Sequence, residues 1–261
     1  MRILSGNRLQ NKSGELRVEL RAFRRVECEE LRVELRKAVW EILAPLFLYF
    51  AALMAGSALL PNADASLQVL VSALICLPLL IFWYVRDHQR ADDETGTGAE
   101  AGGNIRREEN PLWRWAAYGL LCLLAGAALS ALSAFLMRQF GIYARFSNET
   151  QISYQTSAAI WMILGPGLFG PVCEELVYRG LVYQRLCREI PAAAAAAASS
   201  LIFAAGHGNM IQFLYAFPMG LLLCAVSGKK GSRQNVFLPI MMHLGANLFS
   251  VAATLLKTQG M

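Results

Sequence analysis

Apolar positions in this chain come in long unbroken runs, not in the alternating or one-faced patterns of a soluble domain. Past residue 38, runs of about 18 residues or more follow one another with few charges inside them, the length a helix needs to cross a bilayer. They predict membrane helices at 39–60, 65–85, 115–137, 157–186, 192–207, 210–226 and 235–256. The expected fold class is all-α: a polytopic membrane bundle of about seven transmembrane helices. Pro61-Asn62 closes the first run. The fourth should break or kink near Gly165-Pro166 and again near Gly170-Pro171, where proline removes a backbone donor.

Polar stretches divide the bundle. Residues 1–38 are basic and contain Glu-Leu-Arg-Val-Glu-Leu-Arg twice, at 15–21 and 30–36. A fifteen-residue offset is close to four helical turns, so both copies point similarly on one helix. A solvated juxtamembrane extension is the plainer reading; an interfacial or partner-binding amphipathic helix is the sharper one. Residues 86–111, with Asp92-Asp93-Glu94-Thr95-Gly96-Thr97-Gly98 and Gly102-Gly103, read as a flexible linker that begins with an exposed His88. Residues 138–155 form a polar connection. The organisation expected is a basic cytoplasmic extension at 1–38, N-terminal membrane helices with a cytoplasmic loop over 39–150, and a C-terminal core over 151–261.

Composition agrees: 56% of the 261 residues are hydrophobic and 16% charged, with a mean hydropathy of +0.39. The net charge of +5 invites a nucleic-acid reading, but its placement argues for lipid. With the N-terminus in the cytoplasm, all Lys and Arg except Arg138, Arg145 and Lys257 fall on the inner side. The partners expected are the bilayer and a membrane-embedded or lipid-anchored substrate, with no nucleic acid. The six cysteines (28, 76, 122, 173, 187 and 224) show no CxxC spacing and read as buried thiols. The first apolar run lies behind a long charged segment, so no cleavable signal peptide is expected. The alanine run at 192–198 reads as a close-packing helix face.

Against this background, Glu174-Glu175-Leu176-Val177-Tyr178-Arg179-Gly180 stands out. Each such charge at bilayer depth costs about 2.5–3.5 kcal/mol even on mild scales, so its retention points to a site. Glu175 and Arg179, four residues apart, share a helix face and can pair. Glu174 is rotated about 100° away and faces something else. A purely structural ion network would be the bland reading, were there no other polar groups at that depth. Two of the three histidines also lie in apolar helices: His207, and His243 with Asn247 four residues on. Counted from the neighbouring turns, Glu174 and His207 lie about 24 Å deep, and His243 and Asn247 about 18 and 24 Å. Three segments thus deliver a carboxylate, two imidazoles and an amide to one layer.

Glu174-Glu175-x-x-x-Arg179, Phe203-x-x-x-His207 and His243-x-x-x-Asn247, in that order on consecutive membrane helices, resemble the CPBP family. That family comprises CAAX-type intramembrane endopeptidases and the bacteriocin-processing or immunity ("Abi") proteins. The resemblance covers about residues 155–256. It implies an intramembrane endopeptidase in which Glu174 activates the hydrolytic water and His207 holds or shares its proton. His243 and Asn247 would stabilise the oxyanion, with Glu175 and Arg179 in support. Zinc remains open as a cofactor: two His and one Glu (Glu174, His207, His243) are a catalytic zinc set. The absence of HExxH and the presence of Asn247 favour a metal-free, glutamate-activated water. Two alternatives stand beside the enzyme: a non-proteolytic immunity or scaffold protein of the same family, and a proton-coupled transporter. The second ranks lowest, because the outer halves of the helices carry few polar groups.

Overall fold

The structure, a computed structural model, describes residues 3–94, 112–146, 153, 156–228 and 235–258, with side chains from 29 onward apart from 31 and 91–94. Two compact units divide the chain, Met1–Leu43 and Ala44–Met261. In the first, residues from Ile3 on are helical, as the start of α1 (Ile3–Leu59). The described side chains of the second heptapeptide copy are exposed there. Those of the first copy lie outside the described residues.

The second unit contains the rest of α1, then α2 (Ala65–Glu94), α3 (Leu112–Gln139) and the single turn α4 (Ile142–Arg145). A long interrupted helix follows, α5 (Ala159–Glu189), then α6 (Ala192–Gly206), α7 (Met210–Val226) and α8 (Phe237–Thr258). No strand occurs among the described residues. Five helices are long and apolar enough to cross a membrane: Arg32–Leu59, Ala65–Arg90, Leu112–Gln139, Ala159–Glu189 and Phe237–Thr258. The two others, α6 and α7, are apolar but only 15 and 17 residues long. They form an antiparallel hairpin through His207-Gly208-Asn209. Gly208 there takes φ +71°, a left-handed conformation that glycine adopts without a Cβ clash. Asn209 caps α7, its Oδ1 accepting from the Gln212 N–H at 2.8 Å.

The chain is inside-out relative to a soluble protein. Phe47, Met54, Phe82 and Leu112 are exposed, whereas Glu175, Arg179, Ser199, Ser200 and His243 are buried. That distribution is what a bilayer selects, because lipid solvates apolar side chains and polar groups must find partners inside. Within α1, Leu46, Tyr49 and Ala52 form a buried stripe at three-residue spacing. Helices α3 and α8 pack backbone to backbone. A Cβ on Gly126 would stand 1.8 Å from the Met242 carbonyl oxygen, and one on Gly245 1.9 Å from that of Leu123. Small residues at such crossings are how membrane helices gain close van der Waals contact.

Three boundaries differ from the sequence expectation. Helix α2 continues through 86–94, which composition alone marks as linker. Those residues favour helix as readily as loop, and Asp87 anchors them through Arg185 at 2.7 Å. His88 is half-buried, not exposed; its Nδ1–H donates to the Tyr84 carbonyl at 3.1 Å. In α5 the first break falls where expected: Ile163–Phe169 is π-helical around Gly165-Pro166. The second does not. Gly170–Glu175 is a regular α-turn with Pro171 in its first turn, where no N–H is needed. The next wide turn is Leu176–Tyr183, one step beyond the two glutamates.

Candidate active site

Helix α5 carries the carboxylates, and its alternation of α and π turns decides where they point. Such single π turns loosen the backbone ladder and commonly mark functional positions. The Tyr178 carbonyl, within the second π turn, is held by the Ser199 hydroxyl of α6 at 3.0 Å. This fastens α6 beside the site.

Glu175 and Arg179 pair as the spacing predicts, Nη1 to Oε1 at 2.8 Å, with both side chains fully buried. The same Oε1 accepts from His243 Nδ1 at 2.7 Å. This third member links α5 to α8 and is not legible from spacing. Arg179 also reaches the Gly220 carbonyl of α7 at 3.4 Å and lies 4.3 Å above the Phe203 ring. Glu175 Oε2 and Arg179 Nε have no hydrogen-bond partner.

Glu174 faces elsewhere, as expected, and is half-buried. Its Oε1 accepts from the Tyr49 hydroxyl of α1 at 2.9 Å. Its Oε2 lies 3.7 Å from His243 Nε2. Because a carboxylate only accepts, His243 carries a proton on Nδ1, which leaves Nε2 as the atom turned to Glu174.

Phe203 is the centre around which the rings gather. Its edge-on contacts are with His207 at 4.9 Å, His243 at 5.6 Å and Tyr178 at 5.1 Å between centroids. His207 caps the C-terminus of α6 and donates from Nδ1 to the Phe203 carbonyl at 2.9 Å. Its Nε2 is therefore the basic atom too. No hydrogen bond or ion pair among the described residues joins His207 to Glu174. Asn247 donates from Nδ2 to the Pro166 carbonyl at 2.9 Å, on the first π turn of α5.

The structure thus brings Glu174, Glu175, Arg179 and His243 into direct contact. It places His207 edge-on to the Phe203 ring and Asn247 one turn beyond His243. Tyr49 is the member that sequence reasoning missed. Among the described residues no three His, Cys, Asp or Glu side chains gather as metal ligands. His243 has one ring nitrogen committed to Glu175, and the His207 ring packs edge-on with Phe203. The described cysteines are free thiols, four buried and Cys122 half-buried; the side chain of Cys28 lies outside the described residues.

Comparison with known proteins adds the following. Residues 156–249 match the family model described as type II CAAX prenyl endopeptidase Rce1-like. The stretch holds all the side chains placed in the candidate site except Tyr49. Among curated proteins, "Putative membrane peptidase YdiL" of Bacillus subtilis (strain 168) is 25% identical over 137 residues, 52% of this chain and 54% of that protein. The chain thus spans about half the length of the curated relative it matches. No solved structure matches.

Proposed function

We propose that the chain is an intramembrane endopeptidase of the CPBP family, a reading supported by the match of residues 156–249 to the type II CAAX prenyl endopeptidase Rce1-like model. Its substrate would be a membrane-embedded or lipid-anchored peptide or protein. The observation that carries the reading is the environment of Glu174: one oxygen held by Tyr49, the other turned to His243 Nε2 at 3.7 Å. A carboxylate fixed in this way, half-buried beside the outer ring nitrogen of His243, is poised to take a proton from water.

In the proposed reaction Glu174 Oε2 removes that proton as the water oxygen attacks the scissile carbonyl. His207, whose Nε2 is unprotonated when the ring is neutral, shares the proton through water on its way to the leaving amine. His243, protonated on Nε2, donates to the oxyanion while Glu175 holds its Nδ1–H. Asn247 joins it: an amide nitrogen has two hydrogens, and Pro166 uses one. Arg179 holds Glu175 in register through the 2.8 Å contact. No step is routed through a metal. The Lys and Arg distribution supports a cytoplasmic N-terminus.

The test compares the membrane peptides of cells making wild type with those making Glu174→Gln. Uncleaved precursors should accumulate in the variant. The purified wild type should then cleave a precursor so identified, and Glu174→Gln should lose about 10²–10⁴ of that rate. Undiminished cleavage by a folded Glu174→Gln protein would end the proposal.

A further inference from the structure

Beside the site lies a cavity of about 180 Å³. It is walled by α3, α4, α5, α7 and α8, and by the criterion of about 10–15 Å³ per water it has room for about a dozen. Its described lining has an unusual composition for the interior of a membrane bundle. Ser130 and Ser133 of α3, Gln212 and Tyr215 of α7, and Asn247 and Ser250 of α8 all border it, among methionine, leucine and other apolar side chains. No aspartate, glutamate, lysine, arginine or histidine is among the described lining residues. Many hydrogen-bonding groups and no charge is a combination that asks for a particular guest.

Two of its walls are shared with the site. Asn247 stands one turn from His243 on α8, and Pro166, whose carbonyl Asn247 holds, also borders the cavity. Tyr215, on the α7 wall, has its ring 6.4 Å from that of His207. A chain passing the site would therefore enter this space.

A peptide must leave its helical form to be cut. In lipid every freed N–H and C=O then needs a partner, or it costs several kcal/mol. Serine, tyrosine and amide side chains supply such partners without adding charge. A charged substrate residue would find no counter-ion here and would lose its hydration. We propose that this cavity is a substrate subsite that holds the unwound segment flanking the scissile bond and accepts uncharged residues only. This rests on the endopeptidase reading above and adds to it the class of sequence that can be cut.

The experiment uses the full-length protein in vesicles and the precursor identified by the Glu174→Gln comparison, with Glu174→Gln run as the control for the parent reading. Each residue on both sides of the cut is replaced in turn by lysine. At least one position should lower kcat/KM on the order of a hundredfold. Ser133→Phe, which fills the cavity, should raise KM about tenfold with kcat within about threefold. Ser133→Asp should cleave a lysine-bearing substrate that wild type rejects, a gain of function that a misfolded variant cannot produce. Tolerance of lysine at every flanking position would overturn the subsite, as would a Ser133→Phe variant with unchanged KM. Cleavage by Glu174→Gln would instead overturn the reading beneath it.

Discussion

The phenol of Tyr49 donates to Oε1 of Glu174 at 2.9 Å, across 125 residues of chain. Tyr49 is only 7% exposed and lies outside the stretch 156–249 that matches the family. Its bond engages one carboxylate oxygen and so selects which oxygen faces His243. Hydrogen bonds to charged groups contribute about 1.5–3 kcal/mol. Tyr49→Phe keeps the ring, and with it the packing on Tyr178 at 6.3 Å between centroids. We expect kcat to fall about tenfold, KM to stay within about twofold and the melting temperature to hold. A fall in melting temperature with unchanged kcat would make Tyr49 a packing residue only.

The Glu175–Arg179 pair should show a split between stability and activity. Both side chains are fully buried, so removing one partner leaves a charge without its counter-ion. That typically costs about 3–5 kcal/mol. Arg179→Gln should therefore denature at markedly lower temperature in detergent. Replacing both, as Glu175→Leu with Arg179→Leu, should recover much of the loss, because an apolar pair has no desolvation penalty. Activity should not return, because His243 Nδ1 has lost its acceptor.

Helices α3 and α8 should tolerate nothing larger than hydrogen at their crossing. A Cβ at Gly126 or Gly245 would lie within 2 Å of a backbone oxygen on the other helix, and backbone cannot swing aside as a side chain can. Gly245→Val should abolish recovery of monodisperse protein by size exclusion. Ala128→Val, at an exposed position of α3, should be neutral.

Metal dependence is tested by elemental analysis and chelation. Purified protein should carry zinc well below one equivalent, and treatment with a strong chelator should leave cleavage unchanged. Stoichiometric zinc lost together with activity would transfer Glu174, His207 and His243 to a ligand role that their placement does not now support.

The fold was legible because bilayer physics writes itself into composition. Apolar runs mark the five helices of spanning length and the two shorter apolar ones, and charges inside one of them single out Glu174, Glu175 and Arg179. What hydropathy cannot see is whether a polar stretch is helix or loop, which is why 86–94 was read as linker although α2 continues through it. Depth counting put four side chains in one layer but could not order them within it. It gives no sign that Phe203 packs against both His207 and His243, or that Glu175 holds the imidazole of His243. Tyr49 was invisible for a different reason. A tyrosine in an apolar helix is ordinary, and nothing local ties it to a glutamate 125 residues away.

The α6–α7 hairpin has one more consequence, and it concerns the lipid. At 1.5 Å per residue its arms, 15 and 17 residues, reach only about 22–26 Å, short of a hydrocarbon core about 30 Å thick. Were the hairpin to lie along the bilayer normal, acyl chains next to the Gly208 bend would compress around the end that carries His207. Such a dent shortens the path by which water and head groups approach the reacting bond. Thick, sterol-rich bilayers resist that deformation, so the thickness of the host membrane would itself set the rate of the proposed cleavage.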